Sequence, residues 1–303
     1  MGDIHKHGGH NHSYQANKKA LLLSFVLIAG FMVVEFVGGF LTNSLALISD
    51  ATHMLSDAAA LGLSLSALIF GARAATQSKT YGYKRFEILA ALFNGIVLLV
   101  LSVFICLEAI ERISTPPQVV GQGMMVIAVI GLIINVIVAW ILHRQGAAHG
   151  NLNIRSAFLH VIGDMLGSVG AIVAAILIMT FGWNIADPIA SMLVSILILV
   201  SGWRVVRDAV NILMEAKPAN IDSEKVVTVL ESIDNVKSVH DLHIWMITSD
   251  FLSMTVHLRV AADADRDLVL EEAKRALLNK FEIKHVTIQV EGRELCFDED
   301  QCN

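Results

Sequence analysis

The chain has 303 residues, of which 55% are hydrophobic and only 17% charged, with a mean hydropathy of +0.63 and a net charge of −6. An ordinary soluble domain carries about 25% charge, so this composition argues against a cytosolic enzyme and against a disordered chain, and points to a membrane protein. The acidic balance argues against nucleic acid as a partner, and three cysteines at 106, 296 and 302 do not make a disulfide-stapled secreted domain.

The average conceals two different solvents. Residues 1–216 hold 12 Lys/Arg against 11 Asp/Glu, whereas residues 217–303 hold 10 against 17. The first part contains six apolar stretches, roughly 20–41, 46–71, 87–110, 121–143, 157–181 and 186–206. Each is long enough to cross a bilayer, which takes about 20 residues. The breaks carry turn or charge signals: Thr42-Asn43-Ser44, the polar run Arg73 to Arg85, Thr115-Pro116-Pro117, Arg144 to Asn153, and Gly182 to Pro188. The expected organisation is a flexible His-rich tail over 1–18, a six-helix transmembrane domain over 19–212 and a cytoplasmic α/β domain over 213–303.

Orientation follows from the basic residues of the short loops. Lys6, Lys18, Lys19, Arg73, Lys79, Lys84, Arg85, Arg144 and Arg155 fall in the N-terminal tail and in the second-to-third and fourth-to-fifth loops; the other three loops hold only Arg112. Both termini are therefore expected in the cytoplasm of a multi-pass cell-membrane protein surrounded by lipid.

The last part reads as a small domain of order αββαβ. Asp222-Ser223 caps a helix over 223–234, Val236–Ile247 and Phe251–Val260 pair as strands, Asp267–Phe281 is helical and His285–Val290 is a last strand. A three-stranded sheet with helices on one face leaves a side or edge at which two copies can pair.

Ionisable groups inside hydrocarbon are functional candidates by default. The second span places His53 and Asp57 at i and i+4, and the fifth does the same with His160 and Asp164. Residues so spaced share a helix face. Two such pairs offer two nitrogens and two oxygens, a four-coordinate set suited to Zn²⁺. At about 1.5 Å per residue, Asp57 and Asp164 both fall roughly 10–20 Å from the cytoplasmic side, so the pairs are level and can meet. Asp50 lies on the face of His53 and Asp57; it lines an exit path or exchanges protons, or else is a water-exposed residue near the interface. Glu35 is the only charge within the first span. Asn43, Asn94 and Asn135 read as interhelical hydrogen-bond groups and Cys106 as packing.

These residues bring a resemblance into view. Ser44-Leu-Ala-Leu-Ile-Ser-Asp-Ala-Thr-His-Met-Leu-Ser-Asp57, Tyr81-Gly-Tyr-Lys-Arg-Phe-Glu87, Asn151-Leu-Asn-Ile-Arg-Ser-Ala-Phe-Leu-His-Val-Ile-Gly-Asp164 and Val239-His-Asp-Leu-His-Ile-Trp245 resemble the words of the cation diffusion facilitator family, close to its bacterial zinc/cadmium/cobalt efflux branch. The resemblance spans nearly all of the chain after residue 18. It implies a homodimer of six-helix protomers with a metallochaperone-like cytoplasmic domain, exporting Zn²⁺, and with it Cd²⁺ and Co²⁺, by proton antiport and alternating access. The family's transport site falls on His53, Asp57, His160 and Asp164, and two His with two Asp is its zinc-type pattern. Metal and protons compete for the same deprotonated ligands, which suits such coupling.

The resemblance also implies a cytoplasmic zinc site on His240, His257 and Glu291, structural or regulatory in role. His285 is off that register by about one residue. His243 is either a fourth ligand or a surface residue, and the alternative for the whole set is plain sheet histidines. Cys296 and Cys302 are spaced more widely than a zinc CxxC; they bind zinc across a dimer or remain reduced thiols. His5, His7, His10 and His12 form a compositional metal-binding tract suited to loose capture. Some family members place a second metal site in the loop from Arg73 to Arg85, but that loop contains no His, Cys, Asp or Glu here, and no site is expected in it. Arg85 with Glu215 is the candidate for the charge interlock that members place at their hinge; the alternative is ordinary positive-inside charge. A hydrolytic zinc enzyme is disfavoured, because two symmetric pairs leave no spare base and no HExxH is present. A metal-gated channel or sensor is the remaining alternative.

Overall fold

The computed structural model describes residues 10–71, 76–144, 152–248 and 251–292, with the side chains of 10–22, 24, 57, 60–71 and 152–160 outside that description. Six helices come first: α1 (His10–Thr42), α2 (Leu45–Gly71), α3 (Phe86–Ser114), α4 (Gly121–Leu142), α5 (Leu152–Phe181) and α6 (Ala186–Leu213). They are followed by α7 (Ser223–Glu231), β1 (Val236–Thr248), β2 (Phe251–Val260), α8 (Arg266–Phe281) and β3 (His285–Glu291). The chain forms two compact units, residues 1–62 with 93–204 and residues 63–92 with 205–303.

Among the described residues, five helices (α1, α3, α4, α5 and α6) are long and apolar enough to cross a membrane. Their large apolar side chains point outward: Phe104 is 65% exposed and Leu197 68%. A monomeric soluble protein rarely shows apolar patches of this extent, whereas lipid solvates them. α1 begins at His10, inside the stretch expected to be a flexible tail. Gln15, Ala16, Lys18 and Lys19 are good helix formers that extend a helix the apolar run has already nucleated.

In the first unit, small residues let the helices approach closely. Ala46 and Leu47 of α2, Met124 and Ala128 of α4, and Ala171, Ala174 and Ala175 of α5 form one buried cluster. A Cβ on Gly131 of α4 would lie 2.7 Å from the Phe31 ring of α1, so that contact requires glycine. The turn between α1 and α2 is two residues, Asn43 and Ser44, with Asn43 in the left-handed region at φ 56°, where asparagine is among the few tolerated side chains. Gly182 ends α5 at φ 68° for the same steric reason.

In the second unit, β1 pairs antiparallel with β2, and β2 pairs parallel with β3, in the order β1-β2-β3. The parallel pair needs a crossover, which α8 supplies. Val226 and Leu230 of α7 and Val269, Ala273 and Leu277 of α8 pack on Ile244, Met254, Val256 and Leu258 of the sheet. Asp222 caps α7, accepting from the N–H groups of Glu224 and Lys225, and Asp265 caps α8 in the same way.

Candidate metal sites

α2 and α5 bring a histidine and an aspartate together within the apolar bundle. His53 Nε2 lies 3.7 Å from Asp164 Oδ1, with His53 24% exposed and Asp164 2%. Asp57 is four residues along α2 from His53, and His160 four residues before Asp164 on α5. Both are on helical backbone, and both side chains lie outside the described set.

A cavity of about 760 Å³ adjoins the pair and runs between α2, α5 and α6 to Trp183 and Ala186 at the α5–α6 connection. Its walls are mainly apolar, and the charges on them are Asp50, His53 and Asp164. Gly163 and Gly170 of α5 border it with open space where a Cβ would stand. Asp50 is buried, at 4% exposure, and so is not the water-exposed interface residue offered above as one alternative. Its carboxylate fits against Gly167, where a Cβ would lie 2.7 Å from Oδ1. Glu35, also buried, hydrogen-bonds Asp50 and adds α1 to the cluster.

The start of α2 is held by a residue that sequence reasoning passed over. Asp187 in the first turn of α6 accepts from Ser44 Oγ at 2.6 Å, from the Leu45 N–H at 2.7 Å and from the Ala46 N–H at 3.1 Å. Ser44 Oγ in turn accepts from the Leu47 N–H at 3.3 Å. In sequence Asp187 reads as an ordinary helix-start acid beside Pro188; only the fold reveals that it also caps a helix 142 residues away.

Of the three asparagines, Asn94 of α3 donates to Ser56 of α2, at its carbonyl and its hydroxyl, and Asn43 donates to the Gln118 carbonyl. The buried side-chain oxygen of Asn135 has no hydrogen-bond partner among the described residues.

The second unit holds another cluster. His240 of β1 and His257 of β2 are cross-strand partners, with ring centroids 5.3 Å apart. Glu291, at the end of β3 and nearly buried, reaches both: Oε2 is 3.4 Å from His240 Nε2 and Oε1 is 3.2 Å from His257 Nδ1. One ligand atom from each of the three lies within 4.8 Å of the others. Two imidazole nitrogens and a carboxylate oxygen are a zinc-type donor set, so the residues fit that ion. Gln289 Nε2 donates to Glu291 Oε1 at 2.7 Å and orients the carboxylate.

Asp241 is a further acid that sequence reasoning did not select. It sits at φ 50° in the register shift between His240 and His243, with Oδ2 3.4 Å from His257 Nε2. The same bulge turns His243 outward, to 66% exposure beside Asp241 and away from the cluster. His285 pairs in register with Ser253 and packs against Tyr81 and Phe251, at the opposite end of β3 from Glu291. Neither His243 nor His285 joins the three-residue group.

Arg85 Nη2 donates to Glu215 Oε1 at 2.7 Å, in a pair whose members are 38% and 59% exposed. His5, His7, Cys296 and Cys302 lie outside the described residues, and His10 and His12 are placed by backbone only, in the first turn of α1.

The five long apolar helices, a His–Asp pair where α2 meets α5 and a small α/β unit define a multi-pass membrane protein with ionisable side chains inside its bundle. Residues 21–214 match the model of the cation efflux transmembrane domain and residues 218–293 that of the cation efflux protein cytoplasmic domain. The chain belongs to the cation efflux family, also called the cation diffusion facilitators. It is 51% identical over 290 residues to the cadmium, cobalt and zinc/H(+)-K(+) antiporter of Bacillus subtilis (strain 168), covering 93% of this chain and 92% of that one. It is 45% identical to the zinc transporter ZitB of Escherichia coli (strain K12), covering 96% and 93%. It is 41% identical to the metal cation efflux system protein CzcD of Cupriavidus metallidurans, covering 93% and 90%. A solved metal-bound C-terminal domain of that CzcD transporter is 43% identical, covers 23% of this chain and 99% of its own, and has a TM-score of 0.23.

Proposed function

We propose that this protein is a secondary transporter that exports Zn²⁺, and with it Cd²⁺ and Co²⁺, from the cytoplasm in exchange for protons. The observation that carries the reading is the His53–Asp164 approach at 3.7 Å between two helices of an apolar bundle, at the edge of a cavity. Charge at such depth is costly unless a cation or protons balance it. The transport ligands are His53, Asp57, His160 and Asp164. Metal binds them deprotonated, so proton entry from outside displaces the ion outward and proton release inside restores the site. The names of the B. subtilis and E. coli relatives support the same cargo.

In this reading α2 is the sixth span, both termini are cytoplasmic, and the protein works by alternating access as a homodimer. In the same reading a His-rich tail gathers metal at the inner mouth, the transmembrane domain runs to residue 212, and a cytoplasmic domain of order αββαβ follows. His240, His257 and Glu291 hold a zinc ion that stiffens the cytoplasmic domain and is not transported.

The test is zinc uptake with simultaneous proton flux in reconstituted vesicles. The wild-type protein should accumulate zinc against its gradient while protons move the other way. Asp57→Ala and Asp164→Ala should each abolish both fluxes. Zinc movement without counter-flow of protons, or full flux in either variant, would overturn the assignment.

A further inference from the structure

The buried carboxylate of Asp187 does more than begin α6. A helix start leaves its first N–H groups without intrahelical partners. At α2, Asp187 Oδ2 takes the Leu45 N–H and Oδ1 takes the Ala46 N–H, while Ser44 Oγ takes the Leu47 N–H and donates its own proton to Asp187 Oδ1. The fourth, Ile48 N–H, is met by the Ser44 carbonyl. All four donors are thus accounted for, two of them by a side chain from another helix. Ser44 and Asp187 are fully buried, so water does not substitute for either. A negative charge at this point also complements the α2 dipole.

The contact is the outermost of several between the same two helices. Ser49 Oγ meets Ser195 Oγ at 3.1 Å, and Leu45 packs in a cluster with Met192. At about 1.5 Å per residue, His53 lies roughly 14 Å down the helix from Ser44. A rigid helix carries any slide or rotation of its first turn to that depth. The cavity that adjoins His53 is also walled by α6, from Ala186 at the connection to Leu197, Ile198 and Ser201 further along the helix.

We infer that Asp187 is a positioning residue for the metal site: by capping and tethering the start of α2 to α6, it sets the height and rotation at which His53 meets Asp164 of α5. This rests on the transport reading above. It assigns Asp187 neither metal nor a carried proton.

The test uses full-length protein in vesicles, with initial zinc uptake measured against zinc concentration and against pH. The wild type comes first, because failure of zinc uptake there would sink the transport reading and not this inference. Misplaced ligands weaken a metal site by about 10- to 100-fold when their orienting partners are removed. Asp187→Ala should raise the half-saturating zinc concentration by about tenfold or more, with the pH profile unmoved. Asp187→Asn keeps one acceptor oxygen and should fall between Ala and wild type. Should Asp187→Ala not fold, Ser44→Ala removes one donor of the network and should raise the same concentration a few-fold. Unchanged zinc dependence in Asp187→Ala or in Ser44→Ala would overturn the inference. So would an Asn variant as inactive as the Ala variant with a displaced pH profile, since that outcome makes the group a proton or metal carrier.

Discussion

Gly167 lets the Asp50 carboxylate lie against α5, and a single methyl there would stand 2.7 Å from Oδ1. Overpacking of a close interior contact costs about 1–3 kcal/mol. Gly167→Ala should therefore lower the melting temperature of the detergent-purified protein and slow zinc uptake. Removing the clashing group restores room, so adding Asp50→Ala should cost less stability than the sum of the two single changes; strictly additive losses would show that the two residues do not share the space. At this scale the sequence was informative where chemistry is local. His53 and Asp164 could be picked out because each sits four residues from a second ligand type inside an apolar run. Asp187 and Asp241 could not. One acts through a cap on a helix remote in sequence, the other through a strand irregularity, and neither leaves a periodic trace. Glu35 was visible as a lone buried charge, but its partner Asp50 emerged only when α1 and α2 were packed.

The elements were legible wherever burial imposes a period. The spans followed from apolar length, and the strands and helices of the C-terminal domain from alternation and caps. The register shift between His240 and His243 was not, and it decides which histidines face Glu291. Replacing Glu291 by Gln in an Asp164→Ala background, where the membrane site is removed, should weaken zinc binding by the full-length protein at least about tenfold. The same replacement at His243 should leave it unchanged. Equilibrium dialysis distinguishes these results, and a His243→Gln loss as large as that of Glu291→Gln would return His243 to the ligand set. The start of α7 responds to pH. The Lys225 N–H, then its ammonium and the Glu224 N–H, hold the Asp222 carboxyl below its ordinary value of 3.8. A depressed folded-state value stabilises the helix above the unfolded value, and that support is lost as pH falls through the lower folded one. Amide exchange at Glu224 and Lys225 should therefore rise on acidification below about pH 4, and Asp222→Ala should show the faster exchange at neutral pH as well.

Across the whole molecule, charge asymmetry separated the membrane part from the acidic domain before any element was assigned. The Arg85–Glu215 pair is exposed, and such pairs contribute only about 0–1 kcal/mol to stability. An effect on transport would therefore reflect its place near the end of α6 more than its strength. Arg85→Glu and Glu215→Arg should each slow zinc uptake, and the two together should recover it; a double variant as slow as the singles would leave only ordinary positive-inside charge. In the first unit, the three connections at the end where α2 begins are laced to one another. Val120 N–H donates to the Thr42 carbonyl, Arg112 Nη1 to the Asn43 carbonyl, Asn43 to the Gln118 carbonyl, and Val119 N–H to Asn184. A hoop of this kind fixes the spacing of the posts around the cavity mouth. Any rocking that changes access would have to pivot on that hoop, with its largest displacement at the far ends of the helices.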